Sequence, residues 1–226
     1  MKSFVKNDSI RGLLDHPLLF NLVRYILDGS QSQTHWLTRE QINRVPARAV
    51  LDIGCGTGDF AHEAAGLYVG IDINESLVQF AAERNKQNER RFFLLADAVQ
   101  CPFAPKSFEI TLLINCLHHL PDADVLAALG EANRLTRGRI LVVDMQADTD
   151  NWIRRFFNSL DRGDHIRSFE RQRCLIASLL QIHETSIYNS RVAPQVFFLC
   201  SPKELDQQER QPVIEAPLPI ATVFAE

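Results

Sequence analysis

The central part of the chain alternates between short apolar runs and segments with helical periodicity. The apolar runs are "ARAVLDIG", "LYVGID", "RFFLLAD", "FEITLLIN" and "GRILVVDM", which are typical of strands buried on both faces of a sheet. Between them, "GDFAHEAAG", "NESLVQFAAERNKQ" and "DADVLAALGEANRLT" have the pattern of helices. This alternation predicts right-handed βαβ units, and therefore an α/β domain whose parallel sheet is covered by helices on both faces.

Further elements are predicted on both sides of this core. The N-terminal segments "DHPLLFNLVRYILDG" and "THWLTREQINRV" are predicted to be helices, the second with Thr38 and Gln41 at capping-box spacing. After the fifth strand, "DNWIRRFFNSLDRG" and "SFERQRCLIASLLQ" predict helices, and "ETSIYNS" and "QVFFLCS" predict two antiparallel strands joined by a short turn. We therefore predict a helical cap over residues 1–45, a domain over 46–202, and a flexible tail over 203–226.

Composition narrows the class of protein. Of the 226 residues, 46% are hydrophobic and 23% are charged, which is enough to bury a core. The net charge of −4 argues against a nucleic-acid partner, and the longest apolar runs are too short for a membrane span. The five cysteines are scattered without a CxxC pair, and no secretory signal opens the chain. These features predict a cytoplasmic protein with reduced thiols.

The motif "VLDIGCGTGDF" is the centre of the predicted site. A buried strand ends at Ile53, and Gly54, Gly56 and Gly58 follow before a predicted helix. Glycines at such a junction allow positive φ angles and close approach of a ligand to the backbone, and the amides of the following helix would face that ligand. The alternative is a plain glycine-rich turn.

The spacing of these glycines bears on which ligand binds. A dinucleotide loop has the pattern G-x-G-x-x-G, whereas Asp59 stands here in place of its third glycine, and a P-loop's Lys-Ser/Thr ending is absent. Asp52, at the strand end, adds negative charge beside the loop. This arrangement suits a ligand with an ammonium and a sulfonium group, as in S-adenosylmethionine (SAM), whose carboxylate could meet free amides.

Two further strand ends carry carboxylates. Asp72 follows the second strand and could accept hydrogen bonds from both ribose hydroxyls; the alternative role, capping the next helix, is already filled by Asn74. After the third strand, Asp97 could accept a hydrogen bond from an adenine amino group, and the amide of Ala98 could donate to a ring nitrogen.

In order along the chain, "LDIGCGTG", "VGIDIN", "LLADA" and "FEITLLINCLHHLPD" resemble the motifs of class I SAM-dependent methyltransferases, in particular the small-molecule group that includes the ubiquinone/menaquinone-biosynthesis type. The resemblance covers residues 45–145 well. It implies a Rossmann-like seven-stranded sheet of order 3-2-1-4-5-7-6 with an antiparallel last strand, an N-terminal helical lid, SAM as cofactor and S-adenosylhomocysteine as product. The cofactor-binding residues predicted on this basis are Asp52, Gly54, Cys55, Gly56, Gly58, Asp72, Ile73, Asp97, Ala98 and Asn115, with Cys116 lining the pocket.

Methyl transfer from SAM needs alignment and exclusion of water more than acid catalysis, because the leaving group is a neutral thioether. A base is needed only where the acceptor must lose a proton. His118 and His119 follow the fourth strand and are the candidate bases; the alternative is local packing. No metal is predicted, because Asp144 stands alone at the end of the fifth strand.

The acceptor and the reaction are less defined. The N/D-P-P-Y/W element of amide and base methyltransferases is absent, and apolar residues in the predicted lid favour a small hydrophobic acceptor methylated at oxygen or carbon, although they could equally be packing residues. The lid residues concerned are Leu18, Leu19, Phe20, Tyr25, Trp152, Ile153, Phe156, Phe157 and Phe169. Two other classes stay open: an NAD(P)-dependent oxidoreductase, and a protein of this fold that binds SAM without transferring its methyl group.

Overall fold

A seven-stranded sheet forms the centre of the molecule, with strand order β3-β2-β1-β4-β5-β7-β6. The computed structural model describes residues 32–45, 49–147, 165–189 and 194–204. Neighbouring strands from β3 to β5 run parallel, and β7 runs antiparallel to both β5 and β6. The predicted α/β class, strand order and antiparallel last strand are confirmed.

The strands have the following bounds: β1 is Ala49–Ile53, β2 is Leu67–Asp72, β3 is Arg91–Leu95, β4 is Phe108–Ile114, β5 is Thr136–Met145, β6 is Leu180–Asn189 and β7 is Pro194–Pro202. The helices are α1, Ser32–Asn43; α2, Glu75–Asn85; α3, Asp122–Leu135; and α4, Phe169–Leu179. Two single 3₁₀ turns, Ala61–Glu63 and Leu117–His119, follow β1 and β4.

Alternate side chains of the central strands enter two apolar cores on opposite faces of the sheet. Leu51 and Ile53 of β1 join a core completed by α3 and α4, whereas Val50 joins a second core that includes Ile42 of α1. Helices therefore cover both faces, as the near-continuous apolar strands predicted.

The segment after the glycine loop differs from the prediction. "GDFAHEAAG" was expected to be a helix, but it forms only the 3₁₀ turn Ala61–Glu63. Only eight residues separate Gly58 from the start of β2 at Leu67, too few for several helical turns and the return to the sheet. The predicted row of helix amides at this end of the loop is therefore absent.

The other helix starts are set by local chemistry. Asn74 caps α2 by accepting a hydrogen bond from the amide of Leu77, as predicted, and Ser168 caps α4 in the same way through Arg171. The predicted capping box is wrong, because α1 begins at Ser32 and places Thr38 in its interior. Gln41 instead accepts a hydrogen bond from Arg139 on β5, at 2.6 Å.

Several predicted features lie outside the described residues. These are the first N-terminal helix, the helix "DNWIRRFFNSLDRG", the tail beyond residue 204 and most of the apolar lid. Phe169 is described and packs on Phe198, with ring centroids 6.0 Å apart. Within the described ranges, no helix has the length and apolar character needed to cross a membrane.

Candidate active site at the carboxyl ends of the strands

The glycine loop is held against the end of β2 by its own amides. Gly54, Gly56 and Gly58 have φ angles of +75°, +53° and +72°, in the left-handed region that favours glycine. The amides of Gly54 and Cys55 both donate to the carbonyl of Ile71, at 2.8 and 2.9 Å. The loop therefore needs glycine for its backbone shape before any ligand binds.

Two of these glycines also leave no room for a side chain. A Cβ atom at Gly54 would lie 2.7 Å from the Cβ of Cys116, and one at Gly58 would lie 2.6 Å from the Cε1 of Phe93. Gly54 thus brings the loop after β1 into contact with the segment after β4. This contact joins the first and fourth predicted motifs into one site.

Asp72 links the glycine loop to the start of α2. Its carboxylate accepts hydrogen bonds from the amides of Gly56, at 2.8 Å, and Asn74, at 2.9 Å. Burial raises the pKa of the Asp72 carboxyl above its ordinary value, although these amide bonds oppose the rise. The next residue, Ile73, is 73% exposed and offers an apolar surface beside the carboxylate.

Asp52 points its carboxylate into the protein core. It is 1% exposed, and its Oδ2 accepts a hydrogen bond of 2.5 Å from the hydroxyl of the fully buried Tyr68. Burial, followed by the Asp52 charge, raises the pKa of Tyr68 well above its ordinary value. The carboxylate predicted beside the loop is therefore turned away from solvent, toward Tyr68.

The predicted adenine-binding residues follow β3 at the same edge of the sheet. Asp97 is exposed, and its Oδ1 accepts a hydrogen bond of 3.1 Å from the amide of Val99. The backbone connects this segment to the Asp72 segment, because the amide of Ala96 donates to the carbonyl of Asp72 at 3.0 Å. Ala98 is half-buried beside them.

The end of β4 carries a strained residue and an unsatisfied acceptor. Asn115 has a φ angle of +52°, and its amide donates to the carbonyl of Val143 at 2.8 Å. Its side-chain Oδ1 is buried and accepts no hydrogen bond from the described part of the chain. A strained backbone with an unmatched buried acceptor is a feature that clusters at functional sites.

Three carboxylates act on the thiol of Cys116, which follows Asn115. Burial raises the pKa of this thiol well above its ordinary value, and the charges of Asp144, Asp52 and Asp72 raise it further. The pKa of Cys55, inside the glycine loop, is raised by burial and then by two of the same carboxylates, Asp52 and Asp72. The loops after β1, β2, β4 and β5 therefore lie together, as the contacts of Gly54 with Cys116, Gly56 with Asp72 and His118 with Asp144 also show.

His118 is paired with Asp144 across two neighbouring strands. The imidazole is 3% exposed and its Nδ1 lies in hydrogen-bond contact with Oδ1 of Asp144, which also accepts the amide of Met145 at 2.8 Å. His119 is exposed, with its ring 4.1 Å from that of His118. The sequence analysis predicted no partner for Asp144. The one signal for this pairing was its position near the end of β5, the strand that lies beside β4 and its histidines.

The loop that carries these histidines is held by Arg167, which precedes α4. Arg167 is 9% exposed and its Nη1 donates to the carbonyls of Leu117 and His165, at 2.9 and 3.0 Å. Its Nε donates to Asp122 at 2.7 Å, and Nη2 donates to the carbonyl of Leu120. Arg167 therefore ties the β4 loop to the start of α3.

Comparison with known families agrees with this geometry. Residues 50–139 match the family model of the methyltransferase domain, and this segment contains the glycine loop, Asp72, Asp97, Asn115 and His118. Residues 50–139 therefore correspond to a methyltransferase domain, which supports the resemblance of the motifs to class I SAM-dependent methyltransferases.

Relatives with curated functions share this domain. The chain is 32% identical over 132 residues to the 27-O-demethylrifamycin SV methyltransferase of Amycolatopsis mediterranei, covering 52% of this chain and 48% of that protein. It is 36% identical over 110 residues to the ubiquinone/menaquinone biosynthesis C-methyltransferase UbiE of Rhizobium leguminosarum, covering 44% and 42%. The chain thus spans about half the length of the curated relatives it matches.

Solved structures share the fold over a larger part of the chain. The PH0226 protein of Pyrococcus horikoshii is 17% identical with a TM-score of 0.64, covering 80% of this chain and 96% of that one. The [4+2]-cyclase SpnF is 17% identical with a TM-score of 0.61, covering 75% and 81%. At these identities the likeness concerns the fold alone.

Proposed function

We propose that this protein transfers a methyl group from SAM to a small hydrophobic acceptor, at an oxygen or a carbon atom. The observation that carries the proposal is the contact between the glycine loop and the carboxylate of Asp72, which accepts a hydrogen bond from the amide of Gly56 at 2.8 Å and makes this end of the sheet negative. A negative region suits the ammonium and sulfonium of SAM and repels the pyrophosphate of a dinucleotide. The O- and C-methyltransferases among the relatives support the same class of reaction.

The cofactor would be held by residues from four strand ends. The glycine loop, with Gly54, Cys55, Gly56 and Gly58, would hold the methionine part, and Asp72 with Ile73 would hold the ribose and cover the adenine. Asp97 and Ala98 would take the adenine edge, and Asn115 would use its unmatched Oδ1 toward the cofactor. Asp52 would act through its charge, because its carboxylate is already bonded to Tyr68.

SAM, when bound, supplies the electrophilic methyl group. The chain's own contribution is to align the acceptor, exclude water and remove a proton where the acceptor is a hydroxyl or an acidic carbon. His118 would be the base. Asp144 would hold its Nδ1 side in hydrogen-bond contact, which leaves Nε2 as the basic atom and stabilises the imidazolium that forms. The exposed His119 is the second candidate.

The acceptor class and the location of the protein are proposed on narrower grounds. A buried histidine–carboxylate pair is useful to an acceptor that carries a removable proton, such as a phenol, an enol or a quinol. Five cysteines without a disulfide fit a reducing compartment such as the cytoplasm.

The test combines binding with transfer. Calorimetry should show SAM and S-adenosylhomocysteine binding at micromolar affinity, about −8 kcal/mol, and no binding of NADH. With methyl-labelled SAM and a set of phenols, enols and quinols, mass spectrometry should find a methylated product. NADH binding without SAM binding would favour the oxidoreductase, and tight SAM binding without transfer to any acceptor would favour the non-transferring protein.

A further inference from the structure

A group of metal-ligating side chains lies outside the set of residues assigned to the proposed cofactor site. It joins His35, on α1, to His62 and Glu63, in the 3₁₀ turn that replaces the expected helix after the loop. Nothing in the sequence motifs predicts the group, because His35 and Glu63 are 28 positions apart. It takes no part in the proposed methyl transfer.

The donor atoms are arranged around one carboxylate oxygen. The Nδ1 of His35 and the Nε2 of His62 each lie 3.1 Å from Oε1 of Glu63, and all three donors lie within 4.8 Å of one another. In a tetrahedral zinc site with bonds of about 2.0–2.1 Å, neighbouring ligand atoms are about 3.3–3.4 Å apart. The two histidine-to-glutamate separations are therefore close to those that a bound ion would impose, whereas the two histidine nitrogens are held only within 4.8 Å of each other.

The surroundings restrict the positions of these ligands. The side chain of Glu63 is 1% exposed, and Arg39 donates to both of its oxygens: Nε to Oε2 at 2.5 Å and Nη2 to Oε1 at 3.1 Å. The ring of His35 stacks on Phe60, with centroids 4.4 Å apart. The side chain of His62 is 59% exposed, so the group opens to solvent on its side.

We propose that His35, His62 and Glu63 bind a divalent transition-metal ion, with zinc as the best match. Two imidazoles and one carboxylate are a donor set that zinc uses with its fourth position open to water. The ion would bond Nδ1 of His35, Nε2 of His62 and Oε1 of Glu63. The Nε of Arg39 would keep its hydrogen bond to Oε2, in the role of the outer hydrogen bonds that orient metal-binding carboxylates, and its Nη2 would give up its bond to Oε1 when the ion binds there.

The bound ion would fasten α1 to the segment that follows the glycine loop. Glu63 lies five positions after Gly58, and α1 is the described part of the predicted N-terminal cap. A ligand that binds only the folded protein raises its stability by mass action. Zinc would therefore stabilise the cap against the domain without touching the proposed cofactor site.

The experiment uses the full chain after removal of metals with a chelator. Calorimetric titration with zinc sulfate should show one site per chain, and cobalt(II) should give the visible absorption of a tetrahedral ion. His62→Gln should weaken zinc binding by more than about tenfold, since the loss of even an outer-shell partner costs that much. His62 is exposed, so this variant should fold, and its thermal unfolding without metal serves as the check.

His183→Gln is the matched control. His183 is also exposed but contacts Ser201 on the neighbouring strand, and this variant should bind zinc with the affinity of the parent. The proposal would be overturned if no stoichiometric zinc site is found, or if the parent and His62→Gln bind zinc with equal affinity. Equal affinity is expected if the exposed Cys174 captures the ion instead. None of these readings depends on SAM binding or methyl transfer.

Discussion

His118 and Asp144 form a buried hydrogen-bonded pair across the ends of β4 and β5, with the imidazole Nδ1 against a carboxylate oxygen. The two residues are 26 positions apart, and both side chains are almost fully enclosed, at 3% and 4% exposure. A carboxylate on Nδ1 fixes the tautomer of an imidazole and directs Nε2 as the basic atom. This relationship gives the first prediction.

Asp144→Asn should lower turnover with a hydroxyl acceptor by about a hundredfold to ten-thousandfold, the range expected when a positioned base is lost. The amide can still accept the Met145 hydrogen bond, so the fold should be kept. SAM affinity, measured by calorimetry, should stay within a few-fold of the parent. His119→Ala is the matched comparison and should change turnover only slightly. Near-normal turnover in Asp144→Asn would remove the pair from the mechanism.

Asp72→Asn should lower the affinity for SAM without a matching loss of folding stability. Loss of a charged acceptor should weaken SAM binding by about 2 kcal/mol, roughly thirtyfold. Because burial raises the pKa of Asp72, the folded protein binds the proton of this carboxyl more tightly than the unfolded chain does. The stability that the protonated carboxyl contributes is therefore lost as the pH rises through the pKa of the folded state. The substitution also replaces one acceptor oxygen with an NH2 group, so that one of the amides of Gly56 and Asn74 loses its partner. At pH 7 this loss opposes the relief of the buried charge, and the unfolding temperature should change little.

The same reasoning predicts how this difference depends on pH. The stability of the variant relative to that of the parent should fall as the pH is lowered, because the parent gains stability when its buried carboxyl takes up a proton. Thermal unfolding at several pH values checks the sign. A variant that is less stable than the parent at pH 7, with unchanged SAM affinity, would make Asp72 a structural residue only.

Gly56→Val should abolish SAM binding. The position has a φ angle of +53°, which a branched side chain resists, and its amide donates to Asp72. Gly130→Ala in α3 is the control, because a Cβ there meets nothing within 4 Å and alanine favours the helix. Calorimetry on both folded variants decides the matter. SAM binding by Gly56→Val would place the cofactor elsewhere.

Tyr68→Phe should cost about 1.5–3 kcal/mol of unfolding free energy, because Asp52 would lose a donor to a buried charge. Tyr188→Phe removes the same atom from a hydrogen bond of 2.6 Å to the neutral hydroxyl of Thr34, and should cost about 0.5–1.5 kcal/mol. Denaturant unfolding measures both. Equal losses of unfolding free energy in the two variants would mean that the Tyr68 hydroxyl does not stabilise a charged Asp52.

Arg167→Ala should destabilise the protein by about 3 kcal/mol or more, because it leaves the carbonyls of Leu117 and Leu120 in the His118 loop, and that of His165, without their donor. Turnover should fall with it. Arg171→Ala is matched, since Arg171 also pairs with Asp122 but is largely exposed, and it should cost less than about 1 kcal/mol. If both variants lose the same unfolding free energy, Arg167 contributes no more to stability than an exposed charge does.

Local patterns were enough to predict most of the architecture. Apolar runs identified β1 to β5, Asn74 marked the start of α2, and the glycine spacing located the loop that β2 holds. These features depend on neighbours in sequence: burial on both faces makes a strand apolar, and positive φ angles select glycine. The strand order followed only through the resemblance of the motifs to a family.

Tertiary structure decided the chemistry between elements. Asp52 turns to Tyr68, Asp144 meets His118, and Glu63 meets His35, and each contact depends on strand register and helix placement. The short connection after Gly58 also replaced a predicted helix with one turn, which brought His62 and Glu63 beside α1. Sequence alone therefore determined the sheet, its motifs and the class of ligand. The pairing of the buried polar groups was decided only by the tertiary structure. A buried charge needs a partner, and here long-range packing brings that partner to it.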